Sequence, residues 1–160
     1  MVSFASLSGR LLALSRTEHS VKQLGVRVLV VEDFAEWSHL LCSMLQSRQE
    51  FRVVGLISNG LQATYRAEEL KPDLILLDIG LPGLNGIAVA RKVTQVAARS
   101  KILFISENQD PEVVREALCS GAHGYIFKSH VASELFPAIE AVLGNGTFVS
   151  DDSMRKTLLG

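Results

Sequence analysis

Glu32, Asp33, Asp78, Ser106 and Lys128 are the side chains through which this sequence can do chemistry. Singly they say little. Asp33 is equally an N-cap for a following helix, Ser106 an ordinary loop hydroxyl and Lys128 a solvated ammonium. Together they are informative, because they stand at the carboxyl ends of four short apolar runs. In an open parallel sheet that edge is where sites form, and right-handed crossovers bring the strand ends to one side. Three carboxylates brought close repel one another, and such a cluster persists when a cation neutralises it. Oxygen donors suit a hard divalent ion; Mg²⁺ is held by one or two carboxylates plus waters and phosphate oxygens. A lysine and a hydroxyl beside that centre can hold the equatorial oxygens of a transferring phosphoryl group. Asp78 then has the chemistry of a nucleophile that forms an acyl phosphate, with Lys128 and the metal ion stabilising the developing charge.

The elements that must position these groups alternate between two periods. Val26 to Val31 is an apolar, β-branched run of strand length that stops at Glu32-Asp33. Phe34, Trp37, Leu40, Leu41, Met44 and Leu45 then recur at helical spacing. Phe51 to Ile57 reads as a second strand, Asn59-Gly60 as a turn, and Leu61 to Leu70 as a helix stopped by Lys71-Pro72. Leu74 to Leu77 is a third strand, apolar on both faces and ending at Asp78. After the loop Gly80-Leu81-Pro82-Gly83, Asn85 caps a helix expected to reach about Ala98.

Lys101 to Ser106 is a fourth strand. Asp110-Pro111-Glu112 combines an N-cap, a proline at the first helical position and an acid in the first turn, and Gly121 closes that helix. Gly124 to Lys128 is a short fifth strand, and Ser133 to Leu143 a last helix with Pro137 near its first turn. Five strands alternating with five helices predict an α/β protein: a five-stranded parallel sheet, doubly wound as (βα)5.

The 160 residues suit one domain with a sizeable core, since 48% are hydrophobic and 21% charged. Sixteen basic residues nearly cancel seventeen acidic ones, so the charge gives no reason to expect binding to nucleic acid or an anionic membrane. Apolar runs stop far short of the roughly 20 residues a membrane span needs. Cys42 and Cys119 lack metal-ligand spacing and make no disulfide framework, which favours a reducing, cytoplasmic setting. His19, His39, His123 and His130 are not spaced as a metal site either. Residues 1–25 form an N-terminal extension with a short apolar patch, Leu11 to Leu14, between Arg10 and Arg16. This segment lacks the pattern of a secretory signal and is expected to be poorly ordered. Residues 151–160 read as a C-terminal tail.

Four motifs in this order resemble the receiver domain of two-component response regulators: VLVVED (28–33), LILLDIGLPGLNG (74–86), ILFIS (102–106) and GAHGYIFK (121–128). The resemblance covers residues 26–150 and implies the flavodoxin-like strand order 2-1-3-4-5. It implies that Asp78 accepts a phosphoryl group from a histidine kinase or phosphotransfer protein. It also implies Mg²⁺ ligation by Asp33, Glu32, Asp78 and the backbone carbonyl of Gly80. By the same resemblance Ser106 is the hydroxyl that moves to the phosphoryl group, Lys128 the ammonium that pairs with it, and Tyr125 the aromatic switch. Ser129 after Lys128, and the segment AIEAVLGNGTFVS (138–150), resemble the NarL/FixJ (LuxR-type) subfamily, whose helix-turn-helix output domain has no counterpart here.

The implied function is a phospho-accepting switch rather than an enzyme, signalling through a homodimer or an output protein at the last helix–strand–helix face. The alternative is the receiver part of a truncated LuxR-type DNA-binding regulator. Flavodoxins share the strand order but need a Ser/Thr/Gly-rich phosphate loop where this chain has Glu32-Asp33. Aspartate-nucleophile phosphatases carry a second acid two residues on, where this chain has Gly80. Two departures from the family stand out: Glu32 in place of the commoner Asp, and Glu107 beside the switch hydroxyl. Glu107 either repels an anionic phosphodonor or points to solvent.

Overall fold

A computed structural model describes residues 25–151 and 154–156. The expectation for the N-terminal extension therefore falls almost wholly outside the described residues. In chain order the elements are β1 (Val26–Val31), α1 (Ala35–Gln46), β2 (Phe51–Ile57), α2 (Gly60–Leu70), β3 (Leu74–Leu77) and α3 (Gly86–Val96). There follow β4 (Lys101–Ser106), α4 (Pro111–Cys119), β5 (Gly124–Phe127), a 3-10 turn (Lys128–His130), α5 (Val131–Leu143) and β6 (Phe148–Val149).

The strands pair in parallel in the order β2-β1-β3-β4-β5-β6. The expected five-strand order 2-1-3-4-5 is present, with a short sixth strand added beside β5. Strand residues alternate between two cores, as a period of two requires. Leu29, Val31, Ile75, Leu77, Ile102 and Phe104 pack under α2, α3 and α4, which supply Ala63, Ala67, Val89, Val93 and Val114. Val28, Val30, Leu74, Leu76, Leu103 and Ile105 face α1 and α5, which supply Leu41, Leu45, Leu135, Ile139 and Val142. Burial on both faces is why β3 reads as LILL with no polar residue.

Three helices start at a side-chain cap. The Asn59 side chain accepts from the Leu61 N–H at 2.8 Å, Asn85 from Ala88 at 3.0 Å and Asp110 from Glu112 at 2.9 Å. Gly121, at φ +106°, closes α4 as expected. Helix α2 starts one residue earlier than expected, at Gly60, and three further boundaries differ. Helix α3 stops at Val96, because Ala97 turns out of helical backbone at φ −143°, ψ 59°. Strand β5 stops at Phe127, and Lys128 opens the 3-10 turn. Helix α5 consequently begins at Val131, so Pro137 lies in its interior rather than its first turn. The Ser133 carbonyl loses its helical donor there, but both residues are exposed and water can replace it.

The C-terminal segment ties back onto β5. Ser150 N–H donates to the Tyr125 carbonyl at 3.0 Å. The Ser150 hydroxyl accepts from the Phe127 N–H at 2.8 Å and donates to Glu134 Oε2 at 2.5 Å. One buried side chain therefore joins β5, β6 and α5 immediately before Lys128. Arg155 Nη2 donates to the Val149 carbonyl at 2.9 Å, and Met154 packs against the core under α3 and α4. Ser150→Ala strands the buried Phe127 amide and should cost about 2 kcal/mol. Urea unfolding should show the midpoint fall with an unchanged slope.

Candidate functional site

The carboxyl ends of β1, β3, β4 and β5 open into one cleft of about 580 Å³. Glu32, Asp33, Asp78, Gly80, Ser106, Glu107 and Lys128 all line it. At the end of β1 the chain turns sharply, and Glu32 is buried while Asp33 lies exposed at the mouth. Glu32 works with both oxygens. Oε1 accepts the Phe34 N–H at 3.1 Å, and Oε2 meets Lys128 Nζ at 3.0 Å. Asp33 does not cap α1: the N-cap position is Phe34, with no side-chain cap bond.

Asp78 follows β3, and its N–H continues the ladder to the Val31 carbonyl at 3.0 Å. Its Oδ1 accepts the Ile79 N–H at 2.8 Å, while Oδ2 lies 3.6 Å from Lys128 Nζ. Ser106 ends β4, and its Oγ accepts the Asn108 N–H at 3.1 Å. Tyr125 does not line the cleft. Its ring is fully buried against Phe104 and Phe127, and its hydroxyl donates to the Asn108 carbonyl at 2.6 Å. The Asn108 peptide thus links Ser106 to Tyr125. Glu107 is exposed at the rim.

Two contributors were not legible as such in the sequence. Trp37 reads there as one more apolar residue on α1, yet its ring faces the Lys128 ammonium, 5.0 Å from centroid to Nζ. Asn108 reads as a loop residue. The available signal for Trp37 is position: the first turn of a helix starting at a strand's carboxyl end faces the site.

Burial dominates the electrostatics. It pushes the Glu32 carboxyl above the ordinary carboxylate value, against the Lys128 hydrogen bond and with added repulsion from Asp78. Burial likewise raises Asp78, opposed by the Lys128 charge and the Ile79 N–H and reinforced by Asp33. It raises the Tyr125 phenol too, opposed by the Ser106 hydroxyl and reinforced by the Asp78 charge. Oxygens of Glu32, Asp33 and Asp78 approach within 4.8 Å of one another. An all-oxygen donor set at the mouth of an open cleft fits Mg²⁺, which keeps several waters.

An acid raised in the folded state binds more protons folded than unfolded. Stability of the metal-free protein should therefore fall as pH rises from the ordinary carboxylate value through the raised values of Glu32 and Asp78, then level off. Stabilisation by Mg²⁺ should grow across the same window, because the ion competes with protons. Urea unfolding at several pH values, with EDTA or with Mg²⁺, measures both trends.

A twisted parallel sheet in this order, with an acidic cluster, a hydroxyl and a lysine at its carboxyl edge, defines a class of signalling domain. Residues 28–140 match the response regulator receiver domain, and the chain belongs to that family. The transcriptional regulatory protein LnrK of Bacillus subtilis is 31% identical over 121 residues, covering 76% of this chain and 55% of LnrK. The chemotaxis protein CheY of Thermotoga maritima is 30% identical over 119 residues, covering 74% of this chain and 98% of CheY. A LuxR-family two-component response regulator from Aurantimonas superposes with a TM-score of 0.78 at 27% identity, covering 84% of this chain and 96% of that one. The chain spans about half the length of LnrK but the length of CheY. No helix among the described residues is long and apolar enough to cross a membrane.

Proposed function

We propose that Asp78 accepts a phosphoryl group from a phosphohistidine on a kinase or phosphotransfer protein. The observation that carries this reading is the single cleft in which Asp78 Oδ2 faces Lys128 while Glu32 and Asp33 flank it. Oδ2 is the oxygen not held by the Ile79 N–H. It forms the O–P bond as the donor's N–P bond breaks, and imidazole leaves. Asp33, Glu32, Asp78 and the Gly80 carbonyl are the residues that would hold Mg²⁺. When bound, the ion neutralises charge on the carboxylates and the phosphoryl oxygens.

Lys128 exchanges its contact with Glu32 for a phosphoryl oxygen, which lowers the charge there. The Ser106 hydroxyl accepts from the Asn108 N–H and turns its own proton to the same group. Its movement pulls the Asn108 peptide and, through the 2.6 Å bond, Tyr125. The surface of α4, β5 and α5 repacks and is read by a second copy or an output protein. The chain assists its own phosphorylation and dephosphorylation and does not turn over external esters. Its place is the cytoplasm, with no direct contact to nucleic acid. One observation favours a second reading, the receiver part of a longer LuxR-type regulator: the match covers only 55% of LnrK.

Labelled acetyl phosphate with Mg²⁺ tests the reading. The protein should take up label that EDTA suppresses and hydroxylamine removes, as an acyl phosphate requires. Absence of label, or label stable to hydroxylamine, contradicts it.

A further inference from the structure

We propose that Trp37 is a positioning residue for the Lys128 ammonium, holding it by its π face while leaving it free to move between carboxylate and phosphoryl oxygens. The inference rests on the phosphoryl-acceptor reading of Asp78. It starts from the surroundings of Lys128 Nζ. Glu32 Oε2 lies at 3.0 Å, Asp78 Oδ2 at 3.6 Å, and the Trp37 ring centroid at 5.0 Å. The Lys128 side chain is only 8% exposed, so water does little to solvate it. An aromatic face within about 6 Å attracts a cation through its quadrupole, more strongly when the pair is desolvated.

The kind of contact matters as much as its strength. A hydroxyl or carbonyl in place of the indole would accept an N–H bond and fix the ammonium in one direction. A π face attracts the charge without a single preferred hydrogen-bond axis. Lys128 can then turn from Glu32 toward a phosphoryl oxygen on Asp78 while it stays over the ring. Trp37 can serve in this way because α1 starts four residues after the end of β1 and brings its first turn to the cleft. It is the chain's one tryptophan, half-buried between the cleft it lines and the core that Leu41 and Leu45 build on the same helix.

Trp37→Leu keeps apolar bulk and removes the π face; Trp37→Phe keeps a smaller face. In the metal-free protein, the ε-methylene resonances of Lys128 should be displaced upfield by the ring current. The displacement should persist in part in Trp37→Phe and vanish in Trp37→Leu. With acetyl phosphate and Mg²⁺, Trp37→Leu should lower the maximal labelling rate on the order of tenfold, with little change in the half-saturating donor concentration. Trp37→Phe should recover most of that rate. An undisplaced Lys128 resonance in the wild type overturns the proposal without needing a variant. Equal labelling rates in Trp37→Leu and wild type also overturn it. Failure of the underlying reading looks different: the wild type itself would take up no hydroxylamine-sensitive label.

Discussion

Asp78→Asn should reduce labelling by acetyl phosphate to background and, in metal-free protein at neutral pH, should make the fold more stable. The first effect follows from chemistry. An amide oxygen is a poor nucleophile and carries no charge for Mg²⁺ or Lys128 to balance. The second follows from the electrostatics of the cleft. Burial and the neighbouring Asp33 already hold the Asp78 carboxyl above its ordinary value, so ionising it at neutral pH costs folding free energy. Removing that charge should therefore raise the unfolding midpoint of the metal-free protein. The amide can still accept the Ile79 N–H that Oδ1 now accepts at 2.8 Å. Loss of function with gain of stability distinguishes an active-site carboxylate from a structural one. A variant that lost both would point to a structural role. Thermal or urea unfolding in EDTA, beside the labelling assay, reads both quantities on one sample.

Gly86→Ala should destabilise the protein by about 3 kcal/mol and slow labelling about a hundredfold in whatever fraction remains folded. A Cβ at Gly86 would stand 2.0 Å from the Asp78 carbonyl oxygen and 2.8 Å from the Ile79 Cα. Both neighbours are backbone, so neither can swing aside. The start of α3 must move off the end of β3, which breaks the 2.8 Å bond from the Gly86 N–H to the Ile79 carbonyl. The strand end that moves is the one carrying Asp78, the proposed nucleophile, and misplacing a reacting group by about 1 Å is enough for such a loss of rate. Gly80 supplies the control from the same loop. A Cβ there meets nothing within 4 Å, so Gly80→Ala should leave the unfolding midpoint nearly unchanged. Similar unfolding midpoints for the two variants would show that the close approach at Gly86 does not constrain β3.

The parts of this fold that were legible in sequence are those where burial acts on many residues at once. Strands buried on both faces must be apolar throughout, so their ends are marked by the first polar residue, and Asp78 and Ser106 were located that way. Lys128 reads in the sequence as the last residue of β5 but opens a 3-10 turn, which has no apolar period of its own. The same turn hid the true start of α5 and made Pro137 look like a first-turn proline. Strand β6 has only Phe148 and Val149, too few for any alternation to show. What holds it is backbone pairing with β5, helped by the Ser150 hydroxyl and by Arg155 on the Val149 carbonyl, and all of these depend on tertiary position. Trp37 and Leu41 have the same helical spacing in the sequence, but Leu41 is buried in the core while Trp37 packs at its edge and also lines the cleft. Glu32 was legible as a site acid, while its division between the Phe34 amide and the Lys128 ammonium depends on where β5 ends.

Reductive trapping tests the central claim, that Asp78 is the phosphoryl acceptor, most directly. Protein treated with acetyl phosphate and Mg²⁺ is reduced with borohydride, which converts an aspartyl phosphate to homoserine, and its peptides are sequenced by mass spectrometry. The expected result is homoserine at position 78 and at no other aspartate. Labelled protein with an intact aspartate at 78, or with homoserine at Asp33 instead, would contradict it.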